Sequence, residues 1–504
     1  MRGRSLRLNI APVAVGRVAL ACVAVVALTN TAADPDLWGH IRFGRDIVAG
    51  GAVARADPYS FTSDRPWINH EWLAEAIMYA AYSSAGPRGL LVLKLTLLLA
   101  TLWTVWIALA RSGIDPPMRR LLVALTVIGM MSRAPSVRPQ LFSMLLFAVL
   151  LLIVAEIERG RLRAAVAIPI VMAIWVNLHG GWVVGAGTLM LWAVLTACDR
   201  ARPWGRRAWC VASAAAGVAA TLASPYGIGL WQFAFQTIGL SRPDITEWHP
   251  MYRADVLVMV AWLLVVAPTV TALWRYRGRI TRTAAAPVLA LMIASLRVNR
   301  LDAFFTLAVV ILLSPQLADL SATARSFASG RWLVGELPKG AALVHGVAIV
   351  LLVAFALGLT APGLRCIKMN AAWLPEREAG RFLLQNRLQG RMVTSFNWGE
   401  YAIWHAGPDL LVSLDGRRET VYSEATLAQH AALYRGDPEA LNLAEDLHAD
   451  FAWLPSPMAA TTWLASRGWH VAFRGNASTI LSRRPVAIVA AAPFDNAERC
   501  FPGP

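Results

Sequence analysis

The stretch Ile10–Thr29, IAPVAVGRVALACVAVVALT, runs directly into Asn30-Thr31-Ala32-Ala33-Asp34-Pro35-Asp36-Leu37-Trp38-Gly39-His40-Ile41-Arg42. The apolar part carries one charge, Arg17, and is long enough to cross a hydrocarbon core of about 30 Å. Arg2, Arg4 and Arg7 precede it and Asp34 follows it, which places its N-terminus in the cytoplasm. A cleaved signal peptide ending near Ala33 is the rival reading, but the run exceeds the roughly 7 to 15 apolar residues of such a segment. Under either reading the residues after Thr29 lie outside.

Working outward, the whole chain repeats this character. Of 504 residues, 57% are hydrophobic and only 15% charged, which excludes a set of ordinary soluble domains. Forty-seven basic residues against 31 acidic ones give a formal charge of +16. That excess is distributed between apolar runs rather than on one face, so it reports topology and argues against a nucleic-acid partner. Further spans are expected at Gly89 to Ala110, Leu121 to Met131, Leu141 to Ala155, Ala164 to Val176, Val183 to Ala197 and Ala208 to Ala223, then Val256 to Leu273, Ala284 to Leu296, Ala303 to Leu313 and Ala341 to Leu359. Alternate connections hold the arginines: Arg111, Arg119 and Arg120; Arg159, Arg161 and Arg163; Arg200, Arg202, Arg206 and Arg207; Arg275, Arg277, Arg279 and Arg282; and Arg325, Arg331 and Lys339. The expected fold is an α-helical polytopic membrane protein of about eleven spans, N-terminus in and C-terminus out.

Two regions break the apolar pattern. Residues 30–88 form a long first external loop, part of a transmembrane domain 1–361, with room for helices lying in the interface plane. Residues 362–504 have mixed composition and alternating period, and read as a small α/β outer domain. Its expected elements are a helix from Glu376 to Leu388, strands Arg391 to Ser395 and Leu410 to Leu414, helices from Ser423 to Tyr434 and Pro438 to His448, a strand Phe451 to Leu454, a helix Thr461 to Arg467 and a hairpin Arg474 to Ser482. Cys366 and Cys500 bracket this domain and can close it in an oxidising compartment, although spacing alone does not fix a pairing.

The candidate chemistry sits at the outer ends of the spans. Asp34 suits a helix N-cap, Pro35 a first helical position, and Leu37, Trp38, Ile41, Ile47 and Val48 a buried stripe. On the same helix Asp36 and His40, at i and i+4, share a face near Arg42, so a carboxylate, an imidazole and a guanidinium meet at the membrane surface. Asn69-His70-Glu71-Trp72-Leu73 starts a second helix, with Asn69 as cap and Glu71 and Glu75 on one polar face; it lacks the second histidine of a zincin site. Ser136-Val137-Arg138-Pro139-Gln140, Asn177-Leu178-His179-Gly180-Gly181, Ser224-Pro225-Tyr226-Gly227 and Arg297-Val298-Asn299-Arg300 bring further polar groups to that side, where ionisable residues are costly and mark function. In the outer domain Asn397-Trp398-Gly399-Glu400-Tyr401 and Asp415-Gly416-Arg417 stand out, the latter first as a turn and second as a ligand-contacting loop.

This layout resembles the GT-C class of membrane glycosyltransferases, which includes protein O-mannosyltransferases, the lipid A aminoarabinose transferase and the catalytic subunits of oligosaccharyltransferase. Asp34-Pro35-Asp36-Leu37-Trp38-Gly39-His40, Asn69-His70-Glu71-Trp72-Leu73, Asn177-Leu178-His179-Gly180-Gly181 and Asp415-Gly416-Arg417 resemble strings in bacterial proteins grouped with that class, and the resemblance spans most of the chain. It implies transfer of a hexosyl or pentosyl group from a polyprenyl-phosphate carrier to a lipid, glycan or protein acceptor outside the bacterial inner membrane, with the C-terminal domain in the periplasm. By position Asp36 is then the base and Asp34 its partner, with His40 beside them. The chain has Asp-x-Asp where an adjacent acidic pair is common. Arg138, Arg297 and Arg300 are the phosphate candidates, with Arg42, His70, Glu71, Asn177, His179, Asp415 and Arg417 as further substrate contacts. A divalent metal, if bound, would be held by Asp34, Asp36 and His40. A transporter or flippase would gather ionisable groups toward the midplane, and a noncatalytic scaffold would use the aspartates only as caps; the external clustering of polar groups favours an enzyme.

Overall fold

A computed structural model describes residues 10–240, 242, 245–329, 341–369, 373–486 and 499–504. Arg2, Arg4, Arg7, Arg331 and Lys339 lie outside these. The chain is mostly helical: α1 (Ile10–Thr29), α2 (Leu37–Gly50), α3 (Trp72–Ala85), α4 (Pro87–Arg111), α5 (Pro116–Met130), α6 (Gln140–Glu158), α7 (Ala167–Trp175), α8 (Trp182–Cys198), α9 (Trp204–Ala220), α10 (Ile228–Thr237), α11 (Val256–Arg275), α12 (Arg282–Arg297), α13 (Asp302–Leu312), α14 (Ser314–Ser329) and α15 (Ala341–Gly363). Every apolar run expected to span is a helix. Among the described residues four are by themselves long and apolar enough to cross a bilayer: Pro87–Arg111, Gln140–Glu158, Val256–Arg275 and Gly346–Gly363. The bent pair Asn299–Leu312 and Ser314–Ala322, at 73°, supplies a fifth if it is one span. Others are short; α7 has 9 residues and α13 has 11, far less than the roughly 20 that a straight crossing needs.

α6 carries the packing, because its sequence is apolar on all sides. Phe147, Met144 and Leu150 are fully buried, and the rings of Phe147 and Phe304 meet at 5.2 Å in an edge-on contact. One buried cation within this core points to the loop: Lys94 of α4 donates to the Asn30 carbonyl and Thr31 hydroxyl, both at 2.7 Å. The lysine fixes where the chain leaves α1. From there Ala32–Ala33 (β1) pairs in parallel with Lys368–Met369 (β2), and Cys366 is bonded to Cys500, so the ends of the outer region are tied to the start of the first loop.

The outer region contains α16 (Arg377–Asn386), β3 (Gly390–Thr394), α17 (Gly399–Ala406), β4 (Leu410–Val412), α18 (Glu424–Arg435), α19 (Leu443–Asp446), β5 (Phe451–Pro455), α20 (Ala459–Ser466), β6 (His470–Arg474) and β7 (Ser478–Ser482). The sheet order is β4-β3-β5-β7-β6, with β3 parallel to both β4 and β5 and the β6–β7 hairpin antiparallel at the far side. α17 is a helix that the alternating-period reading did not anticipate. The helix expected from Pro438 to His448 is broken into a single 3-10 turn, Pro438–Ala440, and α19.

The first loop is not a separate appendage. α2 and α3 pack together, and α2 also lies against α17. Trp38, fully buried, donates to the Pro502 carbonyl at 2.8 Å and packs on Tyr401 and Phe501. The expected stripe on α2 holds for Leu37, Trp38 and Ile41, but Val48 is exposed, since the helix runs out past its partner in its last turn.

Candidate active site

Asp36 stands at the N-cap position of α2. Pro35 and the tie to Lys94 set the approach of the chain. Asp34, two residues earlier, accepts the Asp36 amide at 3.1 Å and ion-pairs with Arg138, while Arg138 lies 4.0 Å from Asp36. The sequence alone puts the helix cap at Asp34, but the cap position of α2 falls two residues later, at Asp36, and Asp34 instead accepts the Asp36 amide and holds Arg138. Asp36 keeps the open edge, with 36% of its side chain exposed against 9% for Asp34. Loss of hydration between α2 and the outer region, and the anion of Asp34, push the Asp36 carboxyl up to about 7; Arg138 and His40 pull the other way.

Arg138 continues into a fan of cations. Its second nitrogen donates to Glu247 at 2.7 Å, and Glu247 also meets Arg133 at 3.2 Å and Arg300 at 3.9 Å. Burial alone would raise Glu247, but these guanidiniums hold it down at about 2. The cluster is not saturated: Arg138 Nε and one Glu247 oxygen are buried without a hydrogen-bond partner. Trp248 sits beneath it, with Arg242 4.0 Å and Arg300 5.9 Å from its ring centre.

On the other side of Asp36 lies a histidine–glutamate group. His40 Nδ1 faces Glu75 at 3.3 Å and Glu71 at 4.0 Å; Glu71 in turn faces His70 at 3.5 Å and His179 at 3.6 Å. Burial works against the imidazolium of His40, but the bond to Glu75 and the anions of Glu71, Glu75 and Asp36 hold it at about 9. Burial wins at His179, which is pushed down to about 3; its Nδ1 accepts from the Gly181 amide at 2.9 Å and meets the Ser143 hydroxyl at 2.7 Å, which leaves the other nitrogen to carry the proton toward Glu71.

Several expected contacts fall elsewhere. Arg42 is buried and donates to Asp46 and to the carbonyls of Ile403 and Gly407, so it clamps α2 to the end of α17 instead of facing a ligand. Asn177 donates to the Ala173 and Ala223 carbonyls and accepts from Trp72, a strut between helices. Arg297 is exposed at the end of α12, while Arg300, one turn on, enters the fan. Asp415 and Arg417 are sealed in the interior: Arg417 binds Asp57 at 2.6 and 2.9 Å and Asp415 at 2.9 and 2.6 Å, under the rings of Phe43, Tyr59 and Trp67. Asp34, Asp36 and His40 do not converge as metal ligands, since Arg138 occupies Asp34 and Glu75 faces His40; among the described residues no group of three or more acidic, histidine or cysteine side chains is set to hold a metal ion. Arg133 and Glu247 were not anticipated. Glu247 follows Ser241-Arg242-Pro243-Asp244-Ile245-Thr246, a stretch with no apolar periodicity, and only its charge between two apolar runs could have marked it.

No protein-family model matches the chain, and no curated protein does. Solved structures do. The Archaeoglobus fulgidus oligosaccharyltransferase tethered to an acceptor peptide with the NVT sequon superposes with a TM-score of 0.55 at 12% identity, covering 93% of this chain and 74% of that one. ArnT from Cupriavidus metallidurans in the apo state gives 0.53 at 15% identity over 97% and 100% of the two chains, and the same protein bound to undecaprenyl phosphate gives 0.51 at 14% over 96% and 99%. The fold is GT-C-like.

Proposed function

From a GT-C-like fold as premise, we propose that the chain is a membrane glycosyltransferase that moves a hexosyl or pentosyl group from a polyprenyl-phosphate donor to an acceptor at the outer face of the inner membrane. In this reading about eleven helices, several short and tilted, cross the bilayer with the N-terminus inside. Residues 362–504 then form a periplasmic domain, and α2 and α3 lie at the interface. The observation that carries the proposal is the pairing of a half-open carboxylate, Asp36, with an incompletely satisfied fan of arginines 4.0 Å away. The structural neighbours add support, one bound to undecaprenyl phosphate and another to an acceptor peptide.

The chemistry follows from this geometry. Ionised Asp36 accepts the proton of an acceptor hydroxyl as that oxygen bonds to the anomeric carbon. The bond from that carbon to the phosphate oxygen breaks, and the electron pair leaves with the polyprenyl phosphate. Arg138, Arg300 and Arg133 face the growing negative charge, and fixed guanidiniums in a site screened from water stabilise it without reorganising. His40, Glu71, Glu75 and His179 hold the field around Asp36 and the start of α3. No step is assigned to a metal. A transporter would need its charged groups near the midplane, whereas Asp34, Asp36, Arg138, Glu247 and Arg300 all sit at helix ends or in connections.

The test is mass spectrometry of cell-surface glycans and lipid-linked sugars in a deletion strain complemented with wild type, Asp36→Asn or Asp34→Asn. Loss of one sugar with accumulation of its lipid-linked donor, uncorrected by Asp36→Asn despite normal membrane levels of the variant, is the expected result. Unchanged glycans and carriers in the deletion strain, or full rescue by both variants, would sink the assignment.

A further inference from the structure

Glu400 is the first-turn acid of α17, and nothing in the proposed chemistry uses it. It is 4% exposed, and one of its oxygens is buried with no hydrogen-bond partner. Two glycines make its place. A Cβ on Gly39 would fall 2.0 Å from one Glu400 oxygen, and a Cβ on Gly416 would fall 2.9 Å from the other and 2.1 Å from an Asp36 oxygen. Gly39 is three residues after Asp36, hence on the same face of α2. The Glu400 carboxyl thus lies over that face beside Asp36, and both abut the bare backbone of Gly416. With Glu400 buried and Asp36 beside it at the open edge, the two carboxyls disfavour ionising together, and the buried one is the one kept protonated.

We propose that Glu400 is a positioning residue for Asp36: held neutral, it shares the enclosed space with the ionised aspartate, keeps it oriented toward the open edge, and makes the site complete only when the outer domain is docked. This rests on the reading of Asp36 as the base. The surrounding charges agree. Burial and the anions of Asp36, Asp415 and Glu75 push Glu400 well above the usual carboxylate range, with Arg417 opposing them; Asp34 and Glu71 raise Asp36, with Arg138 and His40 opposing. In the transfer step Asp36 receives the acceptor proton and Glu400 keeps its own, so the pair ends neutral.

The experiment is infrared titration of the full-length chain in lipid nanodiscs, comparing wild type, Glu400→Gln and Asp36→Asn. A protonated-carboxyl band, identified by its shift in D2O, should persist in wild type at about pH 8, where a carboxyl of unperturbed pKa is ionised, and vanish in Glu400→Gln. In Asp36→Asn the midpoint of that band should move to lower pH, because the neighbouring anion is gone; a Glu400 that does not adjoin Asp36 predicts no such shift, and the contrast between Glu400→Gln and Glu400→Ala in activity separates positioning from mere proximity. In the complemented strain, Glu400→Gln, which preserves a neutral donor, should restore the surface sugar to within about fivefold. Glu400→Ala, which lets Asp36 drift, should cost about a hundredfold. A band unaffected by Glu400→Gln, a midpoint unmoved by Asp36→Asn, or full activity in Glu400→Ala overturns the proposal. Full rescue by Asp36→Asn overturns the base reading instead, and the infrared arm then reports on the carboxyl pair by itself.

Discussion

Two arginine–carboxylate clusters, built from the same chemistry, behave as opposites in this molecule. Around Arg417 every guanidinium nitrogen is bound: two carboxylates hold it bidentately, Tyr422 donates to Asp415 at 2.8 Å, and three aromatic rings close the cage. Around Arg138 the match is incomplete, with Asp36 partly open, Arg138 Nε and one Glu247 oxygen buried without a hydrogen bond, and Arg300 reaching that oxygen only at 3.9 Å. A saturated cluster has no valence left for a ligand and serves to weld the first loop to the outer region. An unsaturated one retains attraction for an anion, and at Asp36 its pull is outweighed by burial and by the Asp34 anion, which together raise that carboxyl. Charge at a helix end is therefore a weak marker of a site by itself; unsatisfied charge is a stronger one.

Substitutions should separate the two. Asp36→Asn is expected to abolish transfer, by about a thousandfold when the lipid-linked donor accumulated in the deletion strain is offered to purified protein, with the melting temperature little changed. If instead the variant unfolds, the open cluster is structural as well. Arg417→Met should do the reverse. It strands Asp57 and Asp415 in the interior at a cost of about 3 to 5 kcal/mol, visible as loss of the folded outer region in limited proteolysis. Retention of normal stability would show that this cage is not closed in solution.

Arg138→Lys keeps the charge but loses the planar fork that reaches both Asp34 and Glu247, and should lower turnover about tenfold or more. An unchanged rate would exclude that fork from the leaving-group site. The pH profile sharpens the comparison further. Asp36 works only as the anion, and its pKa is about 7, so activity should rise as pH increases through about 7; it should fall again near about 9 as His40 loses its proton. A rise centred near the ordinary aspartate value would mean that Asp36 is fully hydrated.

The smallest effect should come from Glu247. Its pKa is lowered from 4.5 to about 2, so the stability it contributes is present above 4.5 and is lost as pH falls toward about 2. Faster amide exchange around Thr246–Arg253 in acid, without change in the Arg417 region, is the expected signature.

Much of this architecture is legible in the chain. Hydropathy over some twenty residues and helical period are local properties, and they located every apolar helix from α1 to α15 that was expected, as well as the alternating outer region. The loops carrying Asp34, Asp36, His40, Glu71, Arg138, His179 and Arg300 were identified as well, because ionisable groups placed at the ends of apolar runs are conspicuous. α17 was missed because its eight residues sit between two strand-like segments, and eight residues give too few turns for the period to declare itself.

The sequence by itself thus determined which segments form apolar helices and which helix ends carry polar groups. Only the tertiary structure decided which charges meet. Arg417 and Asp57 lie 360 residues apart, and Arg138 reaches Glu247 across 109, so no local pattern couples them. Their partners are chosen by packing: by Trp38 docking on Tyr401 and Phe501, by the Cys366–Cys500 bond, and by glycines that let Glu400 approach Asp36. Charge type is written residue by residue, but saturation depends on how many partners a fold can bring within about 4 Å, and that is a property of the assembled chain alone.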